Sequence, residues 1–495
     1  MWKSLQPIDK IALTLILILT LVIGGVVLGG QACGTNCVFG MKPRVREFSW
    51  HNKTVGAEDR AFILDFDRPM DRESVEKNLV INPPLPGKIS WAGRRLAYTL
   101  DAPVPYGEAY QVKLKNAREH FRGKEEAGQE IKPFVGQFRS RDRAFAYIGT
   151  LGHERGRLIL YNLTQNKKAI LTPRDLVVAD FKFYPEGDRI LFSAAQRHRG
   201  NDTLRNLQLY RVSTQIRENA SERSQPVELI LDNKDYQNNQ FDLSSDGKTI
   251  VVGRVNRKNP ADFDLWVLKK AGNPERLNAP GGEFLIAPDG QTLAVAQGQG
   301  IGIIPLQSDA QAIEFLPKFG KVLSFSRNGS AAAMVNFNMD NAKLRYTRSL
   351  FYVNNQGVQK ELLNIKGSIL DCQFDPTDTH LFCLLTQLIE GEEYREEPYL
   401  AKIDIKTSQV IPLVALPDYR DMKISLAPDG LGILFDRIVT ANSTHSADPL
   451  ITSSGETMRE SRLWLLIPPP ADAPGGAEPK LEELPMRGFR PQWLP

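Results

Sequence analysis

A short turn motif recurs six times after residue 180, and it constrains the fold more than any other feature of the chain. Each copy ends an apolar stretch in a tight polar turn, as in Phe241–Gly247, Phe284–Gly290 and Ile424–Gly430. The turns lie 39 to 60 residues apart, and each is followed by a second apolar strand such as Ile190–Phe192. Asp-Gly tolerates the positive φ that a tight reversal needs. Because one four-stranded repeat cannot bury both of its faces, the repeats are expected to stack radially into a ring.

The copies begin at Phe181, Phe241, Phe284, Leu323, Cys372 and Ile424. Their signature resembles the TolB-like propeller repeat, which is usually summarised as W-S-P-D-G-K. The resemblance covers residues 144–495 and implies a β-propeller. By analogy only, it also implies a scaffold or assembly role in a bacterial envelope, because a fold does not fix a function.

The two ends of this region predict how the ring is completed. Ala144–Ile148, Arg157–Leu163 and Ala169–Leu171 read as three strands without an inner strand of their own. The C-terminal stretch Gly488–Pro495 resembles an inner strand that stops where its turn would begin. We therefore expect the C-terminal strand to close a ring of seven blades, or of six if one weak repeat has degenerated.

Residues 41–143 carry short alternating stretches separated by Pro and Gly, which is typical of an immunoglobulin-like β-sandwich. In the first of these stretches Phe62, Leu64 and Phe66 share one face and are expected to pack inward. The segment Asp65–Val75 and the later Pro105–Tyr110 resemble the bacterial Ig-like domain of the SbsA type. That family serves as a spacer or adhesion module, so the resemblance implies no catalytic residue.

The segment Ile11–Gly30 has no charged residue and, as one helix, would be about 30 Å long, which is the thickness of a bilayer core. It predicts an N-terminal transmembrane helix within an anchor and linker covering residues 1–40. Lys3 and Lys10 favour a cytoplasmic N-terminus with the bulk of the chain extracytoplasmic, periplasmic or lumenal. A cleaved signal peptide, or a lipoprotein signal ending at Cys33, are alternatives. The predicted fold class is therefore all-β: a transmembrane helix, a sandwich and a propeller.

The chain has four cysteines, and they allow two disulfides with three pairings. Cys33 and Cys37 are close in sequence, and Cys372 and Cys383 flank a predicted hairpin. Buried thiols are the alternative for the second pair. The six histidines are scattered singly, so no metal site and no cofactor is expected.

The longest insertions fall mainly between the second and third strands of the repeats, and loops on a rigid scaffold commonly carry binding residues. Basic and aromatic side chains there are typical of protein interfaces. The candidate binding residues are Arg197, His198, Arg199, Arg257, Lys258, Lys343, Arg345, Tyr346, Tyr394 and Arg395. Mobile, solvated loops without a partner are the alternative.

Composition and motifs exclude several functions. With 62 Lys and Arg against 58 Asp and Glu, the net charge of +4 gives no reason to expect a nucleic-acid partner. There is no Gly-x-Ser-x-Gly elbow, phosphate loop or zinc motif, so no catalytic residue is predicted and the chain is not expected to be an enzyme. The expected function is a membrane-anchored binding or scaffold protein whose partner is another envelope protein or a cell-wall polymer. One alternative is a propeller hydrolase or lyase acting on glycans or peptides at the central channel, and another is a structural wall-binding module.

Overall fold

The computed structural model describes residues 14–23, 42–120, 128–197, 203–214, 226–269, 273–279, 281–298, 300–306, 314–389, 391, 395–416, 421–441, 450, 452, 456–469 and 477–495. These residues form two compact units. The first comprises the described parts of Met1–Lys53, Ala61–Thr99 and Ala109–Phe138. The second comprises those of Thr54–Arg60, Leu100–Glu108 and Arg139–Pro495.

The N-terminal prediction requires correction. Residues 14–23 form a helix, α1, and the remainder of the predicted span Ile11–Gly30 lies outside the described residues. Ten helical residues rise by about 15 Å, which is half of a bilayer core. In the part of the chain that the structure describes, no helix is both long and apolar enough to cross a membrane. The predictions of a transmembrane helix and of a single-pass membrane location are therefore wrong. Cys33 and Cys37 also lie outside the described residues.

Between residues 42 and 143, the described residues form eight strands and one short helix. The strands are β1 (Val45–Phe48), β2 (Thr54–Val55), β3 (Ala61–Phe66), β4 (Leu79–Asn82), β5 (Gly87–Ala92), β6 (Arg95–Leu100), β7 (Ala109–Leu114) and β8 (Phe134–Ser140). They form two four-stranded sheets with the orders β1-β3-β6-β5 and β2-β8-β7-β4. As predicted, Phe62, Leu64 and Phe66 of β3 are fully buried. Phe48 of β1 contacts both Phe62 and Phe138, so the two sheets share one aromatic core.

Helix α2 (Arg72–Asn78) connects β3 to β4. The side chain of Asp71 accepts a hydrogen bond from the backbone N–H of Ser74 at 2.7 Å and so caps the helix. The buried Val75 anchors the helix to the unit. The helix is therefore held by one cap and one apolar side chain.

The remaining strands are β9 (Ala144–Gly149), β10 (Leu158–Asn162), β11 (Lys167–Ile170), β12 (Leu176–Phe183), β13 (Arg189–Gln196), β14 (Gln208–Ser213), β15 (Glu228–Leu231), β16 (Tyr236–Leu243), β17 (Thr249–Asn256), β18 (Phe263–Lys269), β19 (Glu275–Arg276), β20 (Phe284–Ile286), β21 (Thr292–Gln297), β22 (Gly300–Pro305), β23 (Glu314–Leu316), β24 (Lys321–Phe325), β25 (Ala331–Asn336), β26 (Arg348–Asn354), β27 (Gln359–Ile365), β28 (Ile369–Phe374), β29 (His380–Ile389), β30 (Arg395–Asp404), β31 (Val410–Ala415), β32 (Ile424–Leu426), β33 (Ile433–Ala441), β34 (Thr457–Ile467), β35 (Lys480–Glu483) and β36 (Gly488–Trp493). Two 3₁₀ helices cover Gly152–Glu154 and Thr203–Asn206.

These strands form seven antiparallel four-stranded sheets. Sheet 1 has the order β11-β10-β9-β36, and sheets 2 to 7 are β12 to β15, β16 to β19, β20 to β23, β24 to β27, β28 to β31 and β32 to β35. The predicted pairing of the C-terminal strand with the first three strands is confirmed, with Phe489 opposite Ile148 and Trp493 opposite Phe145. The prediction of a propeller closed by the C-terminal strand is wrong. The seven sheets are open, because each has two edge strands and no strand pairing among the described residues joins one sheet to the next.

Side chains of the inner strands join neighbouring sheets instead. Gln492 of β36 donates to the carbonyl of Phe181 in sheet 2 at 2.9 Å. The carboxylate of Asp242 in sheet 3 forms an ion pair with the ammonium of Lys182 in sheet 2. It also accepts a hydrogen bond from the backbone N–H of Ile286 in sheet 4 at 2.8 Å. Each such bond satisfies a backbone or charged group that would otherwise be buried unpaired.

The same kind of contact continues around the ring between sheets 6, 7 and 1. Gln373 of β28 bonds both the carbonyl of Ile424 and the N–H of Leu426 in sheet 7, each at 2.9 Å. Ser425 of β32 in turn accepts the N–H of Trp493 in sheet 1 at 3.1 Å. Buried aliphatic and aromatic clusters fill the spaces between adjacent sheets.

The turns after the inner strands follow the sequence pattern. Gly187, Gly247, Gly290, Gly329 and Gly430 have φ values of 68°, 69°, 66°, 71° and 76°. The fifth copy, which begins at Cys372, has no glycine, and Asp378 takes the left-handed conformation in its place with φ of 57°. An aspartate tolerates this conformation better than most side chains because it bonds its local backbone.

Cys372 and Cys383 form a disulfide across β28 and β29, where they are direct antiparallel partners. Both are fully buried. The predicted alternative of two buried thiols is therefore not adopted for this pair.

Candidate functional site

A cavity of about 450 Å³ lies at the centre of the seven-sheet ring. Polar and apolar residues alternate in the inner strands that surround it, as in Asp180-Phe181-Lys182 and Asp371-Cys372-Gln373. Successive side chains of a strand point to opposite faces, so the apolar residues pack between sheets and the polar residues face the centre. The cavity is lined by residues of all seven sheets: Asp180, Lys182, Gln240, Glu283, Phe284, Leu285, Ala294, Ala296, Ile301, Lys321, Val322, Leu323, Leu370, Asp371, Gln373, Lys423, Ile424, Arg490, Pro491 and Gln492.

Most charges of the cavity wall are paired. Arg490 lies 2.7 Å from Asp180, and Lys321 lies 3.0 Å from Glu283. Lys182 contacts Asp242. Burial alone would lower the pKa of Lys182 and Arg490, but the adjoining carboxylates outweigh it and raise both pKa values.

Asp371 and Lys423 are the exceptions. Among the described residues, neither has an ion pair within 4.0 Å. Burial deep in the ring raises the pKa of Asp371, although the Gln373 amide at 3.1 Å and the charges of Lys423 and Lys321 oppose the shift. The side chain of Lys423 is exposed to the cavity. This part of the wall therefore offers an ammonium and a carboxyl whose pKa is raised by burial.

A fully buried carboxylate behind the wall positions Lys423. Asp436 of β33 accepts the backbone N–H of Lys423 and that of Arg490, each at 2.7 Å. Burial raises the pKa of Asp436 to about 6, against these two N–H groups and the charge of Arg490. One carboxyl thus fixes the backbone of two cationic residues on neighbouring sheets.

Arg490 is held in an uncommon conformation. Its φ is 52°, the left-handed region that non-glycine residues seldom adopt, and it lies within the irregular pairing of β36 with β9. The bond to Asp436 and the ion pair with Asp180 hold it there. Backbone strain of this kind is concentrated at functional sites in proteins.

Two of the predicted binding residues, Arg197 and Arg257, have side chains held by hydrogen bonds to the backbone of other residues. The guanidinium of Arg197 donates to the carbonyls of Arg174 and Arg155 at 2.9 and 2.7 Å. Arg257, at the equivalent position of the next repeat, donates to the carbonyls of Asn233 and Arg205 at 2.6 and 2.8 Å. Each of these arginines therefore braces the loops that surround it.

The other predicted residues are not brought together. Lys258, Lys343, Arg345 and Tyr346 are exposed, and Tyr346 is 82% exposed. Among the described residues, Lys343, Arg345 and Tyr346 share one loop, Lys258 adjoins Arg257 in another, and Arg395 pairs with Glu397 at 2.7 Å. His198, Arg199 and Tyr394 lie outside the described residues. The cavity residues were missed, although the alternating polar positions before each turn were a signal for them.

Within the part of the chain that the structure describes, no three His, Cys, Asp or Glu side chains converge as a metal site would require. The chemistry that the wall offers is hydrogen bonding, charge pairing and proton transfer at Asp371.

No family model and no curated protein matches the sequence. Among solved structures, the chain is similar to TolB from Acinetobacter baumannii, with a TM-score of 0.40 and 12% identity over 84% of this chain and 83% of that one. The chain is also similar to oligogalacturonate lyase from Vibrio parahaemolyticus, with a TM-score of 0.44 and 12% identity over 60% of this chain and 87% of that one. Its similarity to a hypothetical selenium-binding protein from Sulfolobus tokodaii has a TM-score of 0.46 and 10% identity over 71% of this chain and 93% of that one.

Similarities at these scores and identities carry no argument about function. They include TolB-like propeller proteins, as the repeat signature predicted, and a lyase. The SbsA-type resemblance of residues 41–143 and the expectation of a non-enzyme remain predictions.

Proposed function

We propose that the seven-sheet unit is a binding module whose central cavity takes up an acidic peptide segment of a partner protein. The observation that carries this proposal is Lys423, an ammonium exposed in the cavity with no ion pair among the described residues. A charge-assisted hydrogen bond to a ligand carboxylate would supply the missing partner. A central binding site replaces the predicted binding through the long loops alone, because the guanidinium groups of Arg197 and Arg257 already donate to backbone carbonyls of neighbouring loops.

The apolar part of the wall favours a peptide over a cell-wall polymer. Leu370 is 44% exposed, and Leu285, Val322 and Leu323 line the same cavity. The one aromatic ring among the described lining residues is that of Phe284, which is 3% exposed and offers no face to a ligand. The aliphatic part of this otherwise polar wall suits an aliphatic side chain beside a carboxylate. The exposed Lys343, Arg345 and Tyr346 are proposed as outer contacts of the partner.

Fluorescence anisotropy with a labelled, C-terminally amidated hexapeptide of alternating Glu and Leu tests this proposal. We expect saturable binding to the full chain and at least tenfold weaker binding of the matched Gln-Leu peptide. Lys423→Gln should weaken binding of the Glu-Leu peptide about tenfold, the effect of losing roughly 1.4 kcal/mol. Lys248→Gln is the matched control, because this lysine is 72% exposed in the turn after β16, outside the cavity lining. Equal binding of both peptides would contradict the proposal.

A hydrolase or lyase acting on peptides or glycans is the second candidate. Asp371 supports it, because a cavity carboxyl with a raised pKa can serve as a general acid or base. Mass spectrometry of the Glu-Leu peptide and a reducing-end assay on alginate after prolonged incubation separate the two functions. Turnover that is lost in Asp371→Asn would favour the enzyme, and intact substrates would favour the binding module.

A further inference from the structure

We infer that Asp371 recognises a ligand carboxylate as a hydrogen-bond donor, with its proton shared between the two carboxyl groups and the ammonium of Lys423 beside them. This inference rests on the proposed function and assigns the specificity for an acidic ligand to the contact with Asp371. A carboxylate would ordinarily repel an acidic ligand, so the role of Asp371 requires the protonated form.

Burial around Asp371 favours that form, whereas its hydrogen-bond donors and the neighbouring lysines favour the charged form. Its Oδ2 accepts the Gln373 amide at 3.1 Å, and no cation among the described residues lies within 4.0 Å. Gln373 is itself held by two bonds to sheet 7, so it fixes the orientation of the carboxyl. The carboxyl lies deep in the ring, where the charged form loses hydration. The backbone N–H of Cys372 is a second donor to this carboxyl. A protonated carboxyl that accepts such bonds still has one O–H to donate to a ligand.

The neighbouring cations supply the charge balance. Lys321 on sheet 5 and Lys423 on sheet 7 lie on either side of Asp371, and both act on it electrostatically. Lys321 is already paired with Glu283, whereas Lys423 is not paired among the described residues. A bound carboxylate between Asp371 and Lys423 would receive one hydrogen bond from each, and the whole group would carry no net charge.

This arrangement makes binding depend on pH. The other titratable and charged groups facing the same space are Asp180, Lys182, Glu283 and Arg490, and each of them is paired. Asp436 lies behind Lys423 and has a pKa of about 6. Its effect on binding must therefore be distinguished from that of Asp371 by mutating each residue. Between pH 5 and 8 the glutamates of the peptide probe stay ionised.

The experiment measures the dissociation constant of the Glu-Leu peptide from pH 5 to pH 8. For the natural chain we expect the dissociation constant to rise at least tenfold with pH. Asp371→Asn keeps a donor that does not titrate, so its dissociation constant should stay flat across this range. Asp371→Ala lacks the donor and should bind about tenfold more weakly than Asp371→Asn at pH 5. Asp436→Asn should retain the pH dependence.

A pH-independent dissociation constant in the natural chain, or equal binding by the Asn and Ala variants, would overturn the inference while leaving the proposed function intact. Glutarate, followed by ligand-observed NMR at pH 5 and 8, provides a second probe. Glutarate binding that is stronger at pH 5 in the natural chain and in Asp436→Asn, but not in Asp371→Ala, supports the inference. Absence of binding by both probes overturns the inference and the proposed function together. Circular dichroism and thermal unfolding of each variant establish that it folds.

Discussion

Asp436 gives the sharpest stability prediction. Its pKa of about 6 in the folded chain lies above its ordinary value of 3.8. Between these two pH values the folded chain keeps the proton while the unfolded chain releases it. The free energy of unfolding therefore falls as pH rises through this window. A pKa difference of about two pH units corresponds to about 3 kcal/mol, and the side chain is fully buried, so solvent screening does not reduce it.

The perturbation is Asp436→Asn, which keeps one oxygen for a backbone N–H and does not titrate. It leaves the second N–H without an acceptor, at a penalty of about 1–3 kcal/mol that does not depend on pH. Equilibrium urea unfolding of both proteins from pH 4 to pH 7 is the assay. The variant should gain about 2.4 kcal/mol relative to the natural chain across this range, because the unfolded carboxyl is already partly ionised at pH 4. Asp371 and Asp378, whose pKa values are also raised by burial, are present in both proteins and cancel. Parallel pH profiles would refute the reasoning.

Three further predictions concern the ring. Gln373→Leu removes two hydrogen bonds between sheets 6 and 7 and should lower the free energy of unfolding by about 2 kcal/mol. Gln240→Leu removes one hydrogen bond of 3.3 Å and should lower the free energy of unfolding by about 0.5 kcal/mol in the same urea titration. Arg257→Met should lower stability by about 1 kcal/mol but leave peptide binding unchanged, and a binding loss without a stability loss would restore its predicted role. Reducing the Cys372–Cys383 disulfide should lower the urea midpoint by the equivalent of at most about 3 kcal/mol, and an unchanged midpoint would show that the crosslink contributes nothing.

The fold was largely predictable because local chemistry and global architecture agree. Asp-Gly turns require a positive φ, and the glycines of five repeats adopt it. The C-terminal strand could be assigned to the first sheet because three strands there lacked an inner partner. The transmembrane helix was a wrong prediction, because the helix that the structure describes covers residues 14–23 and no described helix is long and apolar enough to cross a membrane.

The site was less predictable, since loop composition does not reveal where a side chain is already occupied. Arg197 and Arg257 look like interface residues in sequence but bond backbone carbonyls of neighbouring loops. Asp371 and Lys423 interact electrostatically because sheets 6 and 7 are neighbours, and no spacing in the sequence indicates that these two residues are close. The bond from Asp436 to both Lys423 and Arg490 likewise joins residues that are far apart along the chain.

The position of the bound peptide tests the central claim most directly. A Glu-Leu peptide in which one leucine carries a photoreactive diazirine can be crosslinked to the full chain and the products mapped by mass spectrometry. We predict crosslinks within the inner-strand segments 283–285, 321–323, 370–373, 423–424 and 490–492, which line the cavity. Saturable crosslinks confined to the exposed loop around Tyr346, with none in those segments, would contradict the account.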